Sequence, residues 1–165
     1  MREPADGQGA PSRRVVVIGV GNEFRRDDGI GPEVVSRLQG QTAGTVPAVQ
    51  LLISDGEPTR MIEAWTGASL AVVVDAILAS LPNPGRRHRI ELDRADFWDI
   101  RPVSSHGLSL GNAIGLAKAL DRMPDRLIIH AVEAADFGQG IGLTPAVAAA
   151  AAPLTAAVLR DLAAA

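Results

Sequence analysis

Four short runs along the chain are apolar with almost no polar interruption: "RVVVIGV" (14–20), "VQLLIS" (49–54), "LAVVVDAI" (70–77) and "RLIIHAV" (126–132). Each is rich in β-branched residues, the pattern of a strand covered on both faces. A fifth run, "HRIELD" (88–93), instead alternates apolar and polar residues and predicts a strand at a sheet edge. The link into it, "LASLPNPGRR" (78–87), is too short for a helical crossover, so this strand is expected to run antiparallel.

Between the runs the apolar period changes to that of a helix. Ile30, Val34 and Leu38 share one face, with Pro32 tolerated in the first turn. Pro58 opens a second helix carrying Met61, Ile62 and Trp65, and Gly67 is placed to stop it. "HGLSLGNAIGLAKALDR" (106–122) offers Leu110, Ile114, Ala117 and Leu120, and Gly111 and Gly115 are expected to let its backbone lie close to the sheet. The last helix begins with Thr144 as N-cap and Pro145 at the first helical position. Val147, Ala151, Leu154 and Val158 form its stripe, and Pro153 should kink or split it. Strand–helix alternation of this kind predicts an α/β fold of three layers. Its sheet should be mostly parallel, of about five strands with one antiparallel edge strand, and covered by helices on both faces. Residues 14–165 show no internal repeat or linker and read as one domain, and residues 1–13 read as a disordered tail.

Composition removes several classes of function. The chain has no cysteine, which excludes thiol catalysis, thiolate zinc sites and a disulfide scaffold. A net charge of −3 and aromatics at 3% with no tyrosine argue against a nucleic-acid partner, which calls for a basic face or stacking platforms. The longest apolar stretch, "AVAAAAAPLTAAVL" (146–159), contains a proline and falls short of the ~18 residues of a bilayer span, so no membrane is expected. The N-terminal stretch lacks the apolar centre of a signal peptide, and a cytoplasmic location is the expectation.

Ligands of open α/β sheets bind at the carboxyl ends of the strands, which directs attention to the loops that leave them. The loop after the first strand, "GVGNEFRRDDGIGPE" (19–33), carries Asn22, Asp27 and Asp28. The second run leads into Asp55, the third ends on Asp75, and His106 opens the third helix. The first loop is glycine-rich, but it has no lysine of a Walker loop and has Phe24 where a dinucleotide fingerprint needs its third glycine. Two carboxylates there would also repel phosphate, so a Rossmann-like nucleotide enzyme is the weaker reading. Serines 104, 105 and 109 flank His106 without a Gly-x-Ser-x-Gly elbow, which counts against a serine triad. Asp27 or Asp28 alone could serve as a cap for the helix near Ile30. Asp75 is harder to explain structurally, because an unpaired charge at a buried strand end is costly. Asp28, Asp75 and His106 come from three strand ends, and oxygen plus imidazole donors suit a divalent transition ion with open positions.

With "GVGNEFRRDDGIG", "VVVDAI", "SSHGLSLGNAIGLA" and "IGLTPAV" in this order, the chain resembles the hydrogenase maturation endopeptidases from about Val15 to its last helix. The resemblance implies removal of a C-terminal extension from the large-subunit precursor of a nickel–iron hydrogenase. It implies metal-binding and catalytic positions at Asp28, Asp75 and His106, with Asp28 shorter than the glutamate that this position also accepts. The nickel is then carried by the precursor, and no organic cofactor is implied. Within the resemblance, the metal either activates water and the scissile carbonyl, or serves recognition while a carboxylate acts as general base. Two departures stand out: "DGEPT" (55–59) where many members have Asp-Gly-Gly-Thr, and "VEAAD" (132–136) without a common proline. The first gives some room to an alternative, a nickel-binding maturation chaperone of the same fold that does not cleave.

Overall fold

The computed structural model describes residues 13–42, 49–93 and 108–165. The five apolar or alternating runs form β1 (Val15–Val20), β2 (Val49–Ser54), β3 (Leu70–Ile77), β4 (Arg87–Asp93) and β5 (Arg126–Glu133). They make one sheet in the order β2-β1-β3-β5-β4. β1, β2, β3 and β5 are parallel, and β4 pairs antiparallel with β5 at the edge. That is the mixed sheet expected from the alternation of residues 88–93 and the short link before them, but β2, expected to be covered on both faces, is the other edge strand and only partly buried.

Among the described residues four helices cover the sheet: α1 (Ile30–Thr42), α2 (Pro58–Trp65), α3 (Leu108–Ala119) and α4 (Pro145–Ala163). Because side chains alternate across a strand, Val15 and Val17 of β1 with Val72 and Val74 of β3 pack on α1 and α4. Val16 and Ile18 with Ala71 and Val73 pack on α2 and α3 on the opposite face. Ile30, Val34 and Leu38 of α1 are fully buried, as their spacing predicts. A Cβ on Gly31 would strike the backbone of Val20, so α1 can start this close to the end of β1 only on glycine.

Two helical expectations need correction. Gly111 and Gly115 do not face the sheet: both are exposed with open space around them, and the fully buried Ala113 and Ala117 make the close approach. Leu120 is likewise exposed. Leu110, Ile114 and Ala117 of the predicted stripe are buried, so the spacing identified the inward side and only Leu120 and the glycines were misplaced. Pro153 does not split α4, which is one helix through residue 163. Pro153 and Ala149, whose carbonyl loses its partner there, lie on the solvent side, where water can take over. α4 is long and apolar enough to cross a bilayer. Its apolarity is accounted for by the core: Val147, Ala151, Leu154 and Val158 are all buried against the sheet and α1.

Candidate active site at the carboxyl edge of the sheet

The chain runs from β1 through α1 to β2 at one side, then crosses back through α2 to β3 at the other side of β1. The crevice between the ends of β1 and β3 is therefore the point where strand order reverses, the usual ligand position of such sheets. Asp28 and Asp75 flank it.

Asp28 sits in a single 3-10 turn, Arg26–Gly29, that leads directly into α1. Its Oδ2 accepts a 3.1 Å hydrogen bond from the Asn22 N–H, and Asn22 Oδ1 accepts from Phe24 N. Gly21, at φ 134°, lets the loop turn directly beneath Asp28, whose carbonyl occupies the place a Cβ would take. Asp28 is half-buried, and that burial raises its carboxyl pKa, opposed by the Asn22 N–H and the Arg25 charge.

Asp75 lies at the end of β3 on the face shared with α2 and α3, and is buried. Desolvation is the chief reason its pKa is pushed up to about 7, and the nearby negative charge of Asp28 adds to it. The two carboxylates thus interact electrostatically across the crevice. His106 lies outside the described residues, and among those described no third His, Asp or Glu completes a metal-binding group.

Asp27, the neighbour of Asp28, does different work. It is fully buried, and its carboxylate accepts from Ala135 N at 2.8 Å, Asp136 N at 3.0 Å, Thr144 N at 2.7 Å and Thr144 Oγ1 at 2.9 Å. Neither aspartate caps α1. Asp27 ties the first loop to the segment after β5 and to the start of α4, and Thr144, though at the N-cap position, gives its hydroxyl to Asp27. Arg26, at φ 50°, starts the 3-10 turn in which successive side chains point in different directions, so the two neighbours diverge. Asp55 is exposed and accepts from Glu57 N at 3.2 Å. Glu57 is the N-cap of α2, accepting from Thr59 N and Arg60 N, so the departure "DGEPT" builds a capped helix start beside the crevice.

The apolar runs concealed two further polar groups. His130, buried in β5, bonds Asp161 of α4 at 2.7 Å, and Arg89 of β4 joins the same carboxylate. Glu133, buried at the end of β5, bonds His88 of β4 at 2.7 Å. A histidine inside "LIIHAV" was the available signal for the first; nothing local marked the second.

The raised pKa of Asp75 has a consequence for stability. Its folded value of about 7 lies above the ordinary aspartate value of 3.8, so between these pH values the native state holds a proton that the unfolded chain releases. Metal-free protein should therefore lose stability as pH rises through this window, by up to about 1.4 kcal/mol per pH unit, and level off above it. Thermal unfolding of chelated protein from pH 4 to pH 8 tests this. Asp75→Asn should flatten the slope, and an unchanged slope would show that another group titrates.

This mostly parallel α/β fold is shared with solved endopeptidases. The fold matches the hydrogenase maturating endopeptidase HybD of Escherichia coli with a TM-score of 0.74 and 23% identity, over 90% of this chain and 91% of that one. In sequence, the hydrogenase expression/formation protein HupD of Thiocapsa roseopersicina is 30% identical over 128 residues, 75% of this chain and 57% of that protein. This chain thus spans a little over half of that relative. The hydrogenase 2 maturation protease of E. coli strain K12 is 25% identical over 149 residues, 90% of each chain. The pattern of the HycI hydrogenase maturation proteases matches residues 32–161. The chain belongs to the hydrogenase maturation protease family, and so to the peptidases.

Proposed function

We propose that this protein is the endopeptidase that removes the C-terminal extension of a nickel–iron hydrogenase large-subunit precursor, in the cytoplasm. We further propose that it recognises precursor-borne nickel through Asp28, Asp75 and His106. The observation that supports this reading best is the pair Asp28 and Asp75: two carboxylates brought together at the switch point, each held above its ordinary pKa. Such a pair is costly without a cation, and a substrate that brings a divalent ion with open positions removes that cost. The imidazole of His106, expected from the sequence, would complete an N/O donor set suited to nickel.

In this reading the chain's own contributions are positioning ones. Asn22 N–H fixes the Asp28 carboxylate, and the end of β3 holds Asp75 rigidly at the crevice. The metal, when the precursor brings it, supplies polarisation of the scissile carbonyl or an acidified water.

Nickel-loaded precursor incubated with chelated, metal-free enzyme should lose its extension, read by intact mass. Precursor without nickel should stay whole even at high enzyme concentration. Rapid cutting of nickel-free precursor would end the nickel-recognition reading. Binding of the nickel-loaded form without any cutting would favour the non-cleaving chaperone. Activity lost on chelation and restored by zinc alone would indicate an ordinary metalloprotease.

A further inference from the structure

The sheet register places a histidine beside the carboxylate site. Asp75 of β3 pairs with Ala131 of β5, and Ala131 pairs with His88 of β4. Residues directly paired across a sheet project to the same face. Asp75, Ala131 and His88 therefore form one row on the face covered by α2 and α3, where Val73, Leu127 and Ile129 also point. Two strand spacings of ~4.8 Å separate the Asp75 and His88 backbones by about 10 Å. The residue between them is alanine, the smallest side chain that still marks the row.

His88 is not a loose surface group. Its Nε2 bonds Glu133 Oε1 at 2.7 Å. Glu133 is buried, and its other carboxylate oxygen accepts from Asn83 N at 2.6 Å. The Glu133 backbone also grips the turn before β4: its carbonyl accepts from Gly85 N, and its N–H donates to Arg86 O. Asn83 N–H and His88 hold the Glu133 carboxyl below its usual pKa, so it is a carboxylate that accepts the Nε2–H hydrogen bond. Nδ1 is then the open position of the ring, an acceptor in neutral imidazole. The side chain keeps 34% of its surface exposed, enough to meet a ligand.

We infer that His88, oriented by Glu133, is a specificity-determining residue whose Nδ1 accepts a hydrogen bond from a peptide N–H of the substrate. The 10 Å row corresponds to roughly three residues of extended chain at ~3.3 Å each. The contacted N–H thus lies about three residues from the part of the precursor anchored at Asp28 and Asp75. The inference rests on the proposed peptidase reading of that site.

Two substitutions separate a substrate contact from a structural one. In His88→Gln the amide can still reach Glu133 but nothing stands at Nδ1. In His88→Asn the amide stands near Nδ1 and the Glu133 bond is lost. With nickel-loaded precursor, His88→Gln should fold with wild-type Tm, raise KM and the Kd for precursor about tenfold, the scale of one lost hydrogen bond, and change kcat less. His88→Asn should recover part of that loss despite a lower Tm. Gln at wild-type KM and Kd, with Asn impaired, would overturn the inference and leave His88 a structural partner of Glu133. Wild-type protein that neither binds nor cuts the precursor would instead sink the proposed substrate, and with it this contact.

Discussion

Asp75→Asn is expected to abolish precursor processing, by at least about 100-fold in kcat/KM, while leaving the fold intact. Loss of outer-shell partners of a metal site already costs ~10–100-fold, and Asp75 is proposed as a direct ligand. Asparagine matches aspartate in shape, so packing at the end of β3 is kept. It also removes a charge that burial disfavours, as the pKa of about 7 records. The variant should accordingly be as stable as wild type or more so above pH 7, a separation of activity from stability typical of functional sites. His106→Ala should be equally inactive. Intact-mass assays of processing with parallel thermal unfolding give the answer. Processing at the wild-type rate by either variant would remove that residue from the site.

The opposite pattern is expected one residue before Asp28. Asp27→Ala leaves four donors at the junction of the first loop, the segment after β5 and α4 without their acceptor. Removing one partner of a buried, charged hydrogen-bond network costs roughly 3–5 kcal/mol, and at ~2–4 °C per kcal/mol for a chain of this size Tm should fall by about 6–20 °C. Asp27→Asn keeps an acceptor oxygen and should be milder. Loss of activity in Asp27→Ala should follow loss of folded protein. A Tm within about 2 °C of wild type would refute the clamp.

These paired predictions also mark what could be read from the residues alone. Strand positions were legible because strands are short apolar runs: 49–54 and 70–77 match β2 and β3 end for end, although β2, expected to be covered on both faces, is an edge strand and only partly buried. The helix stripes of α1 and α2 were legible because polar residues on the far side marked the inward face, and that of α4 because Val147, Leu154 and Val158 stand out among alanines. On α3 the spacing marks the stripe Leu110, Ile114 and Ala117 correctly, but Leu120 and the two glycines, expected inward, are exposed. The placement of Asp28 and Asp75 at the strand ends was legible from the strand boundaries alone, and the ends of parallel strands are where such sheets bind ligands.

The division of labour between Asp27 and Asp28 was only partly within reach. Two adjacent aspartates are chemically identical, and what separates them is the turn at Arg26 and donors more than 100 positions away, at Ala135, Asp136 and Thr144. The strand order β2-β1-β3-β5-β4 and the row Asp75–Ala131–His88 are of the same kind. By itself, then, the sequence determined which segments are strands and helices and which strand ends carry carboxylates, because those follow from local burial patterns. Which strand lies beside which, which of two neighbouring aspartates turns to the crevice, and that His88 stands in line with Asp75 were decided only in the tertiary structure, because register and long-range hydrogen bonding have no local periodicity to announce them.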